Sequence, residues 1–264
     1  MSRQPEGPPP PPVVQKLRIR YAKRGRLRFT SHRDFARVFE RAIRRARLPI
    51  AYSAGFSPHP KVSYAGAAPT GTASEAEYLE IGLAEATDPD QVRDTLDAAL
   101  PPGIDIVDVV DAADSPAKTL AELIEASRWS IELPGVSVAA AQKALDLLLA
   151  QTTAPVERAT KDGTRTVDVR AALVTANVAL TSANGPDPAA ECARMDLVVQ
   201  HATPAVRPDD ILTALRMIGA LTTPVTPLVT RLAQGLIDTT SPEDAQRLTD
   251  PLHGSRRSDS AVSP

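Results

Sequence analysis

The sequence predicts an α+β protein made of two βαββαβ units in tandem, with disordered ends. Three observations carry this. Apolar residues alternate with period two in some stretches and recur every three or four residues in others, which marks strands interleaved with helices. These stretches run β, α, β, β, α, β over roughly the first hundred residues after the leader and then restart. Proline and glycine clusters gather at the ends and in the joints. The expected boundaries are 1–14, a disordered proline-rich leader; 15–114, a basic first unit; 115–126, a linker; 127–240, a second unit; and 241–264, a disordered tail.

The leader MSRQPEGPPPPPVV is extended by its prolines and has no hydrophobic signal core. From Gln15 to Thr30 the pattern predicts a strand, a turn at Lys23-Arg24-Gly25 and a second extended piece. Leu17, Ile19 and Tyr21 alternate with Arg18 and Arg20, then Leu27 and Phe29 point inward while Arg26 and Arg28 point out. The clearest helix follows. Ser31 is its N-cap, with Asp34 three residues on in a capping-box pattern. Phe35, Val38, Phe39, Ala42, Ile43 and Ala46 make the buried stripe, and Leu48-Pro49 ends the helix. Ile50 to Ala68 is extended and interrupted by Gly55, Pro58 and Pro60. Ser74 to Ala86 is a strand, Asp88 to Leu100 a helix with Pro89 at its first position, and Ile104 to Val110 a strand.

A joint with a short helix through Leu120 to Ala126 leads into the second unit. Trp129 to Leu133 is a strand and Ser137 to Gln151 an amphipathic helix. Val156 to Leu180 is extended around a Lys161-Asp162-Gly163 turn, and Met195 to His201 is a strand. Arg207-Pro208-Asp209-Asp210 opens a helix to Ile218, and a last strand lies between Leu228 and Ile237. The βαββαβ order is the ferredoxin-like split βαβ arrangement, so two ferredoxin-like units are expected.

Charge is distributed unevenly. Between Lys16 and Arg47 thirteen basic residues face only Asp34 and Glu40, a net +11 in a chain of −2 overall. All four tyrosines and all four phenylalanines lie between Tyr21 and Tyr78. Cations that track phosphates, beside rings that stack on bases, suit single-stranded nucleic acid. Arg33, Arg37, Arg41, Arg44 and Arg45 gather opposite the buried stripe of the first helix. Four residues advance about 6 Å along a helix, so their guanidiniums form a ladder. Arginine suits this role because its fork can bond two phosphate oxygens at once. The single cysteine, Cys192, excludes an internal disulfide and a multi-cysteine metal site. No apolar run reaches membrane-span length, and a cytoplasmic protein is expected.

Several motifs occur in order at close spacing: Lys23-Arg24-Gly25, Ser31-His32-Arg33-Asp34, Arg44-Arg45-Ala46, Gly55-Phe56-Ser57-Pro58-His59-Pro60 and Ser74-Glu75-Ala76-Glu77-Tyr78. In these the chain resembles the radical-SAM-linked (radical-SAM-associated) protein family, a domain of unknown function. Members are free-standing or fused behind a B12-binding-type radical SAM protein. Their genes often neighbour those of ribonuclease E/G and two large-subunit ribosomal proteins. The likeness is dense from Lys16 to Leu83; beyond that it rests on Asp168-Val169-Arg170 and Arg207-Pro208-Asp209. The family usually has an apolar residue where Arg33 stands. The likeness implies a radical SAM enzyme as a partner. This chain cannot be that enzyme, because its cluster needs three cysteine thiolates.

The expected function is an RNA-binding accessory protein for an enzyme that modifies or processes ribosomal or transfer RNA. The docking face would comprise Lys23, Arg24, Arg26 and Arg28 before the helix, then His32 with the five ladder arginines. Phe56, His59 and Lys61 would join it from the proline-stiffened loop. Two alternatives stand. One is a metal-independent RNA endonuclease with His32 or His59 as general base, assisted by Tyr52 or Tyr64. The other is a protein adaptor for a radical SAM enzyme, without RNA contact. Asp34, Glu75 and Glu77 with the histidines match no standard metal spacing, so no metal and no cofactor is expected.

Overall fold

The computed structural model describes residues 10–116, 118–160, 163–181, 191–238 and 247–254. Most of the expected leader, most of the expected tail and the Lys161-Asp162 turn lie outside the described residues. The protein mixes α and β structure, with six α-helices among the described residues. It divides into unit 1, the chain through Leu123 together with Thr249 onward, and unit 2, Ile124–Leu248.

Unit 1 contains β1 (Gln15–Lys23), α1 (His32–Arg45), β2 (Val62–Ala65), β3 (Ala73–Leu83), α2 (Pro89–Ala99), β4 (Ile104–Asp111) and α3 (Leu120–Leu123). β1 pairs antiparallel with β3 on one edge and β4 on the other. Leu79 and Ile81 of β3 have partners on both β1 and β2, so the strand order is β4-β1-β3-β2. The alternation of β1 places Leu17, Ile19 and Tyr21 in one core with Phe35, Phe39, Ile43, Leu79, Ile81 and Leu96. Burying such a side chain contributes about 1.5–3 kcal/mol, which is what holds α1 against the sheet.

Two local expectations change. The second extended piece is instead a 3₁₀ turn, Gly25–Phe29. Gly25 has φ +54°, a left-handed conformation that suits glycine and turns the chain out of β1. Leu27 and Thr30 then donate to carbonyls three residues back. At three residues per turn Leu27 and Phe29 no longer share a face; Leu27 packs on the core and Phe29 stands 60% exposed. The other face of β1 is also not open. Arg18 is 5% exposed and donates to Ser115 Oγ at 2.7 Å and to Glu80 at 3.4 Å. Arg20 donates to the Glu75 carbonyl at 2.9 Å and Asp250 at 3.2 Å. Residues 250–254, assigned to the tail from composition, supply part of this. Leu252 is buried, and His253 Nε2 lies 2.5 Å from Asp108. Upstream, Val14 of the expected leader donates to the Leu83 carbonyl.

Unit 2 contains β5 (Ala126–Pro134), α4 (Val138–Leu149), β6 (Pro155–Thr160), β7 (Gly163–Asp168), α5 (Val169–Ala172), β8 (Leu173–Leu180), β9 (Cys192–Gln200), α6 (Pro208–Gly219) and β10 (Leu228–Ile237). β5 pairs antiparallel with β10 and β9, and β9 with β8, giving β10-β5-β9-β8. β6 and β7 form a separate antiparallel hairpin. The core joins Trp129, Ile131 and Leu133 to Leu145, Leu148, Met195, Leu197, Ile211 and Leu215. Cys192 lies within β9 and is fully buried.

Candidate nucleic-acid interface

α1 begins as its sequence requires. Ser31 accepts a hydrogen bond from the Asp34 amide at 3.2 Å and donates to the Asp34 carboxylate at 2.6 Å. This satisfies an amide that the first turn leaves without a helical partner. Phe35, Phe39, Ala42 and Ile43 are buried, so the helix has one fixed rotation about its axis. That rotation points Arg33, Arg37, Arg41, Arg44 and Arg45 to solvent.

These five are not equally engaged. Arg37 makes only an exposed 3.7 Å pair with Asp34, and Arg45 donates to the Ala99 carbonyl at 2.9 Å. Arg33, Arg41 and Arg44 pair with no described residue. An exposed pair such as Arg37–Asp34 contributes about 1 kcal/mol or less and yields readily to a phosphate.

The cations before α1 divide. Arg26 is exposed and pairs with no described residue. Arg28 lays its guanidinium over the Phe29 ring, 4.8 Å from the centroid, and its Nε is buried without a hydrogen-bond partner among the described residues. Lys23 is 5% exposed, so it stays inside the fold. Arg24 donates to both oxygens of Glu75 and to Asp105 at 2.6 Å. The Glu75 contacts hold its guanidinium still further above its ordinary pKa. Neither Lys23 nor Arg24 stands free to meet a phosphate.

Most of the early rings build the core rather than a surface. Tyr21 stacks on Phe35 at 4.4 Å, Phe35 neighbours Phe39, and Tyr78 is 2% exposed. Tyr64 meets Phe35 and the His32 ring edge to face, the latter at 4.7 Å. Burial, with Glu40 nearby, raises the Tyr64 hydroxyl well above its usual pKa, so it stays protonated. Phe29 and Phe56 are the two exposed phenylalanine or tyrosine rings among the described residues, at 60% and 68%.

The topology separates the predicted residues into two groups. At one end of the unit 1 sheet, Gly71 donates to the Arg28 carbonyl and Arg24 donates to that of Gly103. This end carries Arg26, Arg28, Phe29, His32 and Arg33. At the other end Gln15 pairs with Leu83, Ala51 donates to Gly82, and Lys61 donates to Ala51. This end carries the loop with Phe56, His59 and Lys61, and the last turn of α1. Ser53 and His59 close the loop neck through the Ser53 amide to the His59 carbonyl and the His59 amide to Ser53 Oγ. His32 and His59 therefore lie at opposite ends of α1 and cannot act as a pair. Glu75 is taken by Arg24, and buried Glu77 accepts from the Ala68 amide. Among the described residues no group of three or more His, Cys, Asp or Glu could hold a metal ion.

The matching family model runs through residues 16–208, the whole of α1 and its flanking loops included. The chain belongs to the DUF2344 family of uncharacterized proteins conserved in bacteria. No curated protein matches it. Among solved structures it is similar to an unknown protein from Galdieria sulphuraria, at 14% identity, covering 84% of this chain and 99% of that one, with a TM-score of 0.22. No helix among the described residues of this DUF2344 member is long and apolar enough to cross a membrane.

Sequence reasoning missed one polar cluster, in unit 2. His201 Nδ1–H donates to the Ile124 carbonyl at 3.2 Å, and its Nε2 accepts from Ser127 Oγ at 2.8 Å. Gln234 Oε1 lies 3.4 Å from the same hydroxyl. Burial and Arg231 lower the His201 pKa, against the opposing Ile124 bond, and keep the ring neutral. A serine donating to a neutral histidine is the arrangement of an activated nucleophile. Ser127 is only 1% exposed, however, so its hydroxyl is closed to substrate and the cluster serves packing. Its members are 74 and 107 residues apart in sequence, beyond any local pattern.

Proposed function

We propose that this protein is an RNA-binding accessory protein, which holds RNA for an enzyme that modifies or processes ribosomal or transfer RNA. The observation that carries the reading is the outer face of α1. Arg33, Arg41 and Arg44 stand in solvent without partners among the described residues, on a helix whose rotation the core fixes. Leaving cations unpaired along one rigid face costs little in water and offers a ready site for phosphates. The sequence likeness to radical-SAM-linked proteins supports a radical SAM enzyme as the partner class, and the role places the protein in the cytoplasm. The accompanying fold reading is a tandem of two ferredoxin-like units. The orders β4-β1-β3-β2 and β10-β5-β9-β8 support it. A histidine-based nuclease has less support: His32 and His59 lie at opposite ends of α1, and Tyr64, the group beside His32, keeps its proton and supplies no second base.

Titration of fluorescent RNA across a salt series tests the reading. Log affinity should fall with log salt by about 0.7 per phosphate neutralised on a single strand. The Arg37→Glu/Arg41→Glu double variant should lose at least tenfold in affinity with its melting temperature unchanged, because both side chains are exposed. Lys143→Glu on α4 of unit 2 should leave affinity as it was. A flat salt response, or wild-type affinity in the double variant, would overturn the proposal and favour the protein adaptor.

A further inference from the structure

Resting on that reading, we infer that the bound RNA is unpaired and that it bridges two separate stacking platforms, Phe29 and Phe56, with the α1 arginines between them. Exposing a phenylalanine forfeits the burial that would otherwise stabilise the fold by about 1.5–3 kcal/mol. Six of the eight rings in this unit are buried or half-buried, and the two that are not sit at opposite ends of α1. The 3₁₀ turn delivers Phe29 immediately before the helix, and the Ser53–His59 loop delivers Phe56 beyond its last turn. Gly55, at φ +134°, sets the direction of the chain into Phe56.

Each platform has its own cations. Arg28 covers one face of the Phe29 ring, the ring is 60% exposed, and its neighbour Gly71 brings no side chain against it. A base stacking on the other face would lie beside a guanidinium already held in place, so its phosphate meets a preorganised donor. Arg26 and Arg33 lie near this end. Phe56 shares its end with Lys61, Arg44 and Arg45. Between the platforms runs α1, whose 14 residues extend about 21 Å. That length spans several phosphates at about 3.4 Å per nucleotide in a stacked strand. A duplex offers the same phosphates to the ladder, but its bases are already stacked on one another. Two exposed rings at the ends of a cationic row are therefore of use only to a strand whose bases are free.

The test measures affinity for U20 and for a 20-base-pair RNA duplex at one salt concentration, with wild type, Phe29→Leu, Phe56→Leu and the double variant. Leucine keeps the apolar bulk and removes the π face, and both sites are exposed, so folding is checked simply by far-UV CD. The single strand should bind at least tenfold tighter than the duplex. Each substitution should weaken U20 binding about tenfold, the double variant by about the product, and duplex binding should not change. Equal affinity of wild type for duplex and single strand would overturn the inference. So would a silent substitution at either ring, which would reduce the two platforms to one. Those outcomes leave the arginine-face reading standing. No binding of either RNA at low salt sinks that reading instead.

Discussion

Unit 1 and unit 2 lay four strands in the same order, yet they join their two longer helices by different chemistry. In unit 1 the contact between α1 and α2 includes a polar clip, in which Arg45 donates to the Ala99 carbonyl at the end of α2. In unit 2 α4 and α6 touch through small residues. A Cβ added at Gly219 would lie 2.6 Å from Ala144 Cα. The outer faces differ in the same sense. α1 reads HRDFARVFERAIRR and carries five exposed arginines, whereas α4 reads VAAAQKALDLLL and carries Lys143 and Asp146 as its only charges. One topology thus supports a cationic helix face in one place and a close-packed helix pair of mixed, sparse charge in the other. Strand order says nothing about the charge of a helix's outer face; the residues that the core turns outward decide it.

The largest expected effect breaks the small-residue contact. Gly219→Ala places a methyl against backbone that cannot yield without moving a helix, so unit 2 should lose about 1–3 kcal/mol. Urea denaturation followed by Trp129 fluorescence, the only tryptophan and part of the unit 2 core, reads this directly. The counterpart in unit 1 is Arg45→Ala. It removes one charge-assisted hydrogen bond at an exposed side chain and should cost about 1 kcal/mol by CD-monitored urea denaturation. Equal losses in the two variants would erase the distinction between clip and contact.

A smaller effect concerns the buried polarity of unit 2. His201 is held neutral by burial, with Arg231 near it, so its folded pKa is lower than its unfolded one. As pH falls through the unfolded value of about 6.5, the unfolded chain takes up a proton before the folded chain does. The stability contributed by neutral His201 is therefore complete above that pH and declines below it. Between pH 7.5 and 5.5 wild type should lose more melting temperature than His201→Gln. Parallel declines would show that the Ser127–His201 cluster does not titrate in this window.

How far these differences were legible beforehand depends on the range of the interaction. α1 was legible because its signals are local: Ser31 and Asp34 at the start, apolar residues at helical spacing, Pro49 beyond the end. The ladder followed, since knowing the buried stripe fixes the opposite face. The alternation Arg26, Leu27, Arg28, Phe29 misled because a glycine turn changed the period from two to three, which reversed Phe29. Lys23 and Arg24 were misplaced for another reason. Their carboxylate or strand neighbours, Glu75, Asp105 and Ser74, are fifty or more residues away. Periodicity already placed Tyr21 and Phe35 on apolar faces, but Tyr78, opposite Arg20 on the other face of the sheet, donates to Asp250, 172 residues away and beyond any local pattern. Composition alone could not tell buried Lys23 and paired Arg24 from the open arginines of α1.

The smallest prediction finds the two units alike. Arg47, just after α1, and Ala220, just after α6, are the non-glycine residues with positive φ among the described residues, at 53° and 51°. In each case the next residue closes the helix end: Leu48 donates to the Ile43 carbonyl and Leu221 to the Leu215 carbonyl. Such closures favour glycine at the left-handed position. A Cβ there costs about 1–2 kcal/mol, and replacing it with glycine gives back about 0.5–1 kcal/mol through the freer unfolded chain. The net should be a gain of about 0.5–1 kcal/mol for Arg47→Gly and Ala220→Gly alike. Both side chains are exposed, so nothing else of weight is lost with Ala220. Arg47→Gly also removes one cation beside the ladder, so it should raise the melting temperature while weakening RNA binding slightly. Ala220→Gly should raise the melting temperature and leave RNA binding alone. A rise in RNA affinity with Arg47→Gly would mean that helix termination, rather than charge, limits the α1 face.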